Sequence, residues 1–278
     1  MVMVGRADAA LATFEADLRR RRVKQKTAQT YVAIAGRFLA LNGAPPRRGY
    51  SRAQYNAFFD GLLAADYSAA YIQLQLAALR RFLRALGETP PPLEPRDLPR
   101  LERKTPETWL EVEDVAAMVA AVRGPGFDDE ARCALALATV YGLRVSELRT
   151  CERDGDHLII HVAKSGGRTA RQLVPVTIRP YIAAAPVRQT EYRLGRLYHQ
   201  LERAGRVRRR RGSRSGFHHI RRALNTALAR AGVPEVVLQR FLRWQGRGFS
   251  GPLYYLRGDT DAMDRQVFRQ HPFLHLWT

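Results

Sequence analysis

Lysine is almost missing from this chain. Of 46 basic residues only four are lysines, Lys24, Lys26, Lys104 and Lys164, which leaves 42 arginines. Arginine does not give up its proton in a protein, so each retained lysine is a position where an ammonium could deliver one. Cysteine is scarcer still. Cys133 and Cys151 are the two in the sequence, and neither stands at zinc-ligand spacing from another Cys or a His, so no structural metal is expected. The same scarcity excludes a disulfide-stapled scaffold and removes any need for an oxidising compartment. Long apolar runs are absent as well. The longest, Ala134–Leu143, is too short to span a bilayer. Met1–Arg6 has no apolar core of a secretory signal. A soluble cytoplasmic protein without a membrane segment is expected. Acidic residues number only 26, so the formal charge is +20 and the isoelectric point is near 11.0. Such a chain is drawn to polyanions, with nucleic acid ahead of an anionic membrane surface.

What is present divides the 278 residues into two parts. Residues 7–88 read as helix throughout. Leu11, Phe14 and Leu18 share one face, and Thr27 is placed to cap a second helix that buries Tyr31, Ile34, Phe38 and Leu41. Asn42 and Gly43 stop it. Ser51 opens a third helix carrying Tyr55, Phe58, Phe59 and Leu62, and Ser68 a fourth carrying Ile72, Leu76, Leu79, Phe82 and Leu83. The outer faces of this bundle carry Arg19, Arg20, Arg21, Arg22, Lys24 and Lys26 as candidate DNA contacts. Five prolines between 90 and 99 forbid a helix and favour an extended linker over 89–107. Beyond it, residues 108–278 form a second domain. Helices are expected over 110–122, 128–141, 189–204, 216–231 and 234–244, with a last one from about 252. Strands are expected over His157–Ala163 and Arg171–Thr177, with Lys164 at the turn between them. The fold class is therefore mainly α with a small antiparallel β-sheet.

Four segments in the second domain carry residues able to do chemistry. In Tyr141-Gly-Leu-Arg-Val-Ser-Glu-Leu148 a buried helix ends at Gly142 and a new one starts at Arg144. Taken alone, Arg144 and Glu147 would be a surface pair of little worth. An arginine at a helix start opposes the helix dipole, however, and makes sense where an anion sits. In Phe217-His-His-Ile-Arg-Arg222, His218 and Arg221 are three apart and are expected on one face. Ile220, Ala223, Leu224, Ala227 and Leu228 form the buried stripe opposite. Imidazole beside guanidinium at a helix N-terminus suits a phosphate, although a solvated basic helix end would read the same way. Lys164 is the only lysine beyond residue 104, and an ammonium can deliver a proton where a guanidinium cannot. Finally, Phe241-Leu-Arg-Trp244 is followed by a glycine-rich stretch and the pair Tyr254-Tyr255. Paired tyrosines are usually packing residues, but beside an arginine-rich phosphate site one of them can act as a nucleophile.

In this order the segments resemble the tyrosine recombinase, or phage integrase, family. Tyr-Gly-Leu-Arg-Val-Ser-Glu-Leu looks like its first-arginine motif, Lys164 like its hairpin lysine, and His218-His-Ile-Arg221 like its His-x-x-Arg box. Trp244 stands at its later His-or-Trp position. The N-terminal bundle, with Thr27-x-x-x-Tyr31 and Phe38, is similar to the family's SAM-like core-binding domain, so the likeness covers nearly the whole chain. Residues 108–278 would then be the mixed α/β catalytic domain. Departures are visible. Tyr254 and Tyr255 lie ten and eleven residues after Trp244, longer than the family's usual interval, so the nucleophile stays open between them with Tyr254 favoured. Arg222 stands where a histidine is common, and the hairpin turn looks long.

The resemblance implies site-specific recombination or integration through a 3′-phosphotyrosine, with no metal, no ATP and no other cofactor. It casts Arg144 and Arg221 as clamps on the non-bridging phosphate oxygens and Lys164 as the acid for the leaving 5′-oxygen. His218 would take the nucleophile's proton, Trp244 would donate its indole N–H, and Glu147 would orient the first arginine or the histidine. It also implies closure of the two domains around a duplex and a homotetramer on paired DNA sites, from a monomer or weak oligomer when free. The tail Phe273-Leu-His-Leu-Trp277 could dock on a neighbour or on its own domain. A type IB-like topoisomerase and a catalytically inactive DNA-binding relative are the alternatives. An RNA-binding protein has no motif in its favour, and few aromatics interleave the basic runs. Eight arginines between Arg206 and Arg222, among them Arg208, Arg209, Arg210, Arg211 and Arg214, would contact backbone phosphates and supply affinity more than sequence discrimination. DNA affinity should therefore fall steeply as salt rises in a filter-binding titration, and a response flat in salt would contradict this reading.

Overall fold

The computed structural model describes residues 5–46, 49–65, 67–90, 110–162, 167–208, 216–244 and 260–278. The chain separates into two compact units, Met1–Thr105 and Pro106–Thr278. The expected linker over 89–107 lies outside the described residues from 91 onward, as do Lys164, Tyr254, Tyr255, Arg209, Arg210, Arg211 and Arg214. No described helix is long and apolar enough to cross a membrane.

The first unit contains α1 (Arg6–Arg20), α2 (Gln25–Asn42), α3 (Arg52–Ala64) and α4 (Ala69–Ala85). Each helix contributes one apolar stripe, and the stripes meet around Phe14, Leu18, Ile34, Phe38, Phe58, Leu79 and Phe82. Edge-to-face pairs Phe14–Phe82 and Phe38–Phe58 set the aromatic geometry of that core. The starts of α3 and α4 follow from capping. Ser51 and Gln54 form a reciprocal capping box, and the Ser68 hydroxyl accepts from the Tyr71 N–H. Two expectations for α2 are corrected. The helix begins at Gln25 with Lys24 as its N-cap, so Thr27 sits inside the first turn and caps nothing. Leu41 is 59% exposed, because the buried stripe runs through Ile34, Ala35, Phe38 and Leu39 and Leu41 falls at its edge in the last turn.

The second unit begins with α5 (Val112–Arg123) and α6 (Asp129–Tyr141), continues through a one-turn helix α7 (Val145–Leu148), and then forms a sheet. Its strands are β1 (Glu152–Asp154), β2 (His157–His161) and β3 (Thr169–Leu173), antiparallel in the order β1-β2-β3. Ile159 pairs with Glu152 on one side and Arg171 on the other. Helices α8 (Glu191–Ala204), α9 (Phe217–Arg230), α10 (Glu235–Phe241) and α11 (Thr260–Arg269) complete the unit. Helix α6 is apolar on all sides and buried along almost its whole length, which marks it as the central rod of the core. Asp128 accepts from the Ala131 N–H at 2.7 Å to start it, and Gly142, left-handed at φ 59°, ends it.

The expected second strand stops early. It covers Thr169–Leu173 and not Arg171–Thr177, because Pro175 has no N–H to give a ladder and instead precedes a 3-10 turn at Val176–Ile178. The short strand β1 carried no periodic signal, and the helix expected to start at Arg144 is the single turn α7. The C-terminal region docks on its own unit. The Asp264 carboxylate accepts from the Leu173 N–H at 2.8 Å. His157 accepts from Arg171 at Nδ1 and donates from Nε2 to Asp261. Farther on, the Trp277 indole donates to Thr139 Oγ1 at 3.1 Å, His271 Nε2 donates to the Val140 carbonyl, and Phe273 and Trp277 enter the main core. The tail thus packs in cis. Trp277→Ala should lower the free energy of urea unfolding by about 3 kcal/mol through the cavity it leaves, whereas an unchanged midpoint would mean the tail is not seated there.

Candidate functional site

Three chain turns meet at the end of α6. The first is Tyr141–Arg144, where the left-handed Gly142 lets α6 stop and α7 start within three residues. Arg144 is the N-cap of α7, and Glu147, one turn on, reaches back to it. Glu147 Oε2 accepts from the Arg144 backbone N–H at 3.0 Å, and Oε1 accepts from Arg144 Nη1 at 2.6 Å. The Glu147 side chain is fully buried while that of Arg144 keeps 26% exposure. The anion that offsets the dipole mismatch at Arg144 is thus its own helix's glutamate.

The second contributor is Arg221, one turn into α9. Its Nη1 donates to the Gly142 carbonyl at 2.7 Å, its Nη2 to the Leu242 carbonyl, and Nη1 lies 3.9 Å from Glu147 Oε2. At 3% exposure it belongs to the buried side of α9 with Ile220 and Leu224. The expectation that His218 and Arg221 share an open face is corrected here. His218 is exposed in the first turn, where the helix end opens to solvent, and Arg221 lies a turn deeper beneath the Gly142 turn.

The third contributor had no role in the sequence reading. Arg243 follows α10 in a left-handed conformation, φ 55°, with its side chain only 2% exposed. Its Nη2 donates to the Tyr141 carbonyl at 2.8 Å and stands 3.6 Å from Glu147 Oε2. Its Nη1 donates to the Phe241 carbonyl at 2.8 Å and to Gln172 Oε1. No motif marks such a residue in a chain this rich in arginine; an arginine closing an apolar helix end was the sole available cue.

Three guanidiniums therefore surround one carboxylate, an excess of two positive charges. Burial pushes the Glu147 carboxyl up, but the Arg243 charge, the Arg144 N–H and the Arg144 guanidinium together hold it below the usual 4.5. Its stabilising effect is complete above that value and is lost as pH falls through the lower folded-state pKa. Burial, then the charges of Arg243 and Arg144, bring Arg221 down to about 9. Burial likewise brings Arg243 down to about 10. Both remain cationic at neutral pH. Although His218 is exposed, partial desolvation at the helix end and the charges of Arg222, Arg221, His219 and Arg144 push it below 6.5. That direction favours the neutral imidazole, which can accept a proton. Trp244, next to Arg243, is 38% exposed.

The other predicted residues lie elsewhere or outside the described residues. Lys164 belongs to the latter; the strands leading to it are in place, with the Val162 N–H bonded to the Arg168 carbonyl at 2.9 Å. Arg208 is exposed, as are Arg19, Arg20, Arg21, Arg22, Lys24 and Lys26 in the first unit. Arg20 and Arg21 bind Asp17 at 2.8 and 2.9 Å, which reduces the free charge of that run. Among the described residues no group of His, Cys, Asp and Glu could hold a metal ion.

No family model matches this sequence, and no curated protein does. Solved structures match. A lambda integrase dimer bound to a COC′ core site superposes with a TM-score of 0.65 at 17% identity, covering 86% of this chain and 74% of that one. A lambda integrase tetramer bound to a Holliday junction gives 0.63 at 17% identity, covering 87% and 78%. The XerH site-specific recombinase bound to difH substrate, a pre-cleavage complex, gives 0.61 at 12% identity, covering 84% and 79%. The chain has the fold of these tyrosine recombinases.

The Gly142 turn is tightly enclosed. A Cβ there would lie 3.1 Å from Leu242 Cδ2 and 3.2 Å from Arg221 Cγ. Gly142→Ala should lower the free energy of urea unfolding by about 2 kcal/mol, from left-handed strain and crowding. Wild-type stability would refute that packing.

Proposed function

We propose that this chain is a tyrosine-type site-specific DNA recombinase that cleaves and rejoins strands through a 3′-phosphotyrosine, without metal or ATP. The observation that carries the reading is the cluster around Glu147. Two surplus positive charges are held together beside a neutral imidazole, and such a cluster calls for an anion with several oxygens. A DNA phosphate meets that requirement. The fold supports it, since the solved neighbours are described on a core site, on difH and on a Holliday junction.

In this mechanism Arg144, the partly exposed member, meets the scissile phosphate first. Arg221 lies under it and shares the charge that builds on the non-bridging oxygens, each such contact being worth on the order of 3 kcal/mol in the transition state. A free tyrosine, with a pKa near ~10, is a weak nucleophile at neutral pH. His218 takes its proton as the hydroxyl of Tyr254, or alternatively Tyr255, attacks in line. Lys164 protonates the departing 5′-oxygen. Trp244 donates its indole N–H to a phosphate oxygen. The ester bond conserves the energy needed to rejoin a strand to a different 5′-hydroxyl. Residues 1–88 act as the core-binding domain, 89–107 as the linker and 108–278 as the catalytic domain. Four protomers assemble on paired double-stranded sites.

The test is a nicked suicide duplex that traps protein on DNA, followed by mapping of the linked residue. Tyr254→Phe should abolish the adduct and Tyr255→Phe should leave it; the reverse moves the nucleophile by one position, and no adduct with the unaltered protein sinks the proposal. Lys164→Arg should slow cleavage far more than it weakens binding, because the charge is kept and the deliverable proton is not. Equal loss of both would make Lys164 a simple DNA contact. Relaxation of supercoiled plasmid with no joined product would identify a topoisomerase instead.

A further inference from the structure

Arg243 occupies a backbone conformation that suits glycine. A non-glycine residue at φ 55° is strained, and such strain persists only where the surroundings hold it. Here the side chain does the holding. One guanidinium joins four segments: the end of α6 at the Tyr141 carbonyl, the end of α10 at the Phe241 carbonyl, β3 at Gln172, and α7 at Glu147. Gln172 is buried and closes the circuit by donating Nε2–H to the Phe241 carbonyl at 3.1 Å. Strand β3 follows Lys164 in the chain, α7 follows its N-cap Arg144, and the next residue after Arg243 is Trp244. The parts assigned to strand transfer thus reach a common frame through this one side chain.

We infer that Arg243 is a positioning residue: buried and out of reach of DNA, it fixes the Glu147 carboxylate that holds Arg144, and it locks the hairpin strand to the same junction. The inference rests on the recombinase reading for its catalytic consequence, while the Arg243–Glu147 link stands on geometry alone. A lysine could keep the charge but could not span the Tyr141 carbonyl, Gln172 and Glu147 at once. Glycine would remove the side chain and relax the backbone, so a defect in Arg243→Gly cannot come from backbone strain.

The experiment measures duplex affinity and single-turnover adduct formation at saturating protein for the unaltered protein, Arg243→Gly, Arg243→Lys, Glu147→Gln and the double variant Arg243→Gly/Glu147→Gln. Misplacing a catalytic group by about 1 Å costs on the order of 100-fold in rate, and a loss of that order is expected for Arg243→Gly with affinity little changed. Arg243→Lys should fall between it and the unaltered protein. The double variant should be no slower than the worse single variant, because both changes break one relay. Rate losses that multiply, or affinity and rate falling together, overturn the inference. Should the unaltered protein form no adduct, the recombinase reading fails and the DNA-free cycle decides. Glu147→Gln should then destabilise the protein less in the Arg243→Gly background than in the unaltered one at pH 7, and equal effects refute the link. If Arg243→Gly does not fold, Arg243→Lys takes its place in both cycles.

Discussion

A buried carboxylate between guanidiniums is the constraint around which the second unit is arranged. Glu147 has no exposure, and an ionised carboxylate taken out of water costs several kcal/mol unless it is paired and hydrogen-bonded. Arg144 supplies two of its contacts from the same short helix, Arg221 a third from α9, and Arg243 a fourth from the end of α10. Each arginine also satisfies or caps a chain turn, so the charges cannot rearrange without loosening backbone. The cluster is strongly held and still unbalanced in charge. Those are the two properties that preorganised electrostatic catalysis asks of a site.

The rest of the unit serves to keep that junction still. Helix α6 is buried among the other elements, so its end at Tyr141 is a fixed point. The carbonyls of Tyr141 and Gly142, left without helical partners where α6 stops, accept from Arg243 and Arg221. The C-terminal region ties the opposite side. Burial pushes the Asp264 carboxyl up to about 6, against the pull of the Leu173 N–H and Arg240, and that carboxyl anchors α11 to β3. Trp277 and His271 seat the tail on the last turns of α6. Along the chain, Tyr254 and Tyr255 fall between Trp244 and α11.

Much of this was legible one dimension at a time. The bundle of α1 to α4, its capping serines at 51 and 68, the buried character of α6 and the β2–β3 hairpin follow from periodicity and turn chemistry, which act between residues a few positions apart. The four motif segments stand out by residue type and local spacing, and their order along the chain is what makes them resemble the tyrosine recombinases. Thr27, Leu41 and the C-terminal end of β3 were misread where a local rule met a competing one: a helix that starts earlier, a stripe that drifts, and a proline that ends a ladder.

Sequence alone determined the charge, the helical content, the two-part division and the residue types gathered for chemistry, because each depends on composition or on short-range spacing. Tertiary structure alone decided that Arg221 lies buried beneath the Gly142 turn, that the tail packs in cis, and that Arg243 joins Arg144 and Arg221 at Glu147. Those outcomes depend on desolvation and on contacts between residues as far apart as Tyr141 and Arg243. No pattern within a helix or a strand carries information about which distant carbonyls and carboxylates a guanidinium will meet.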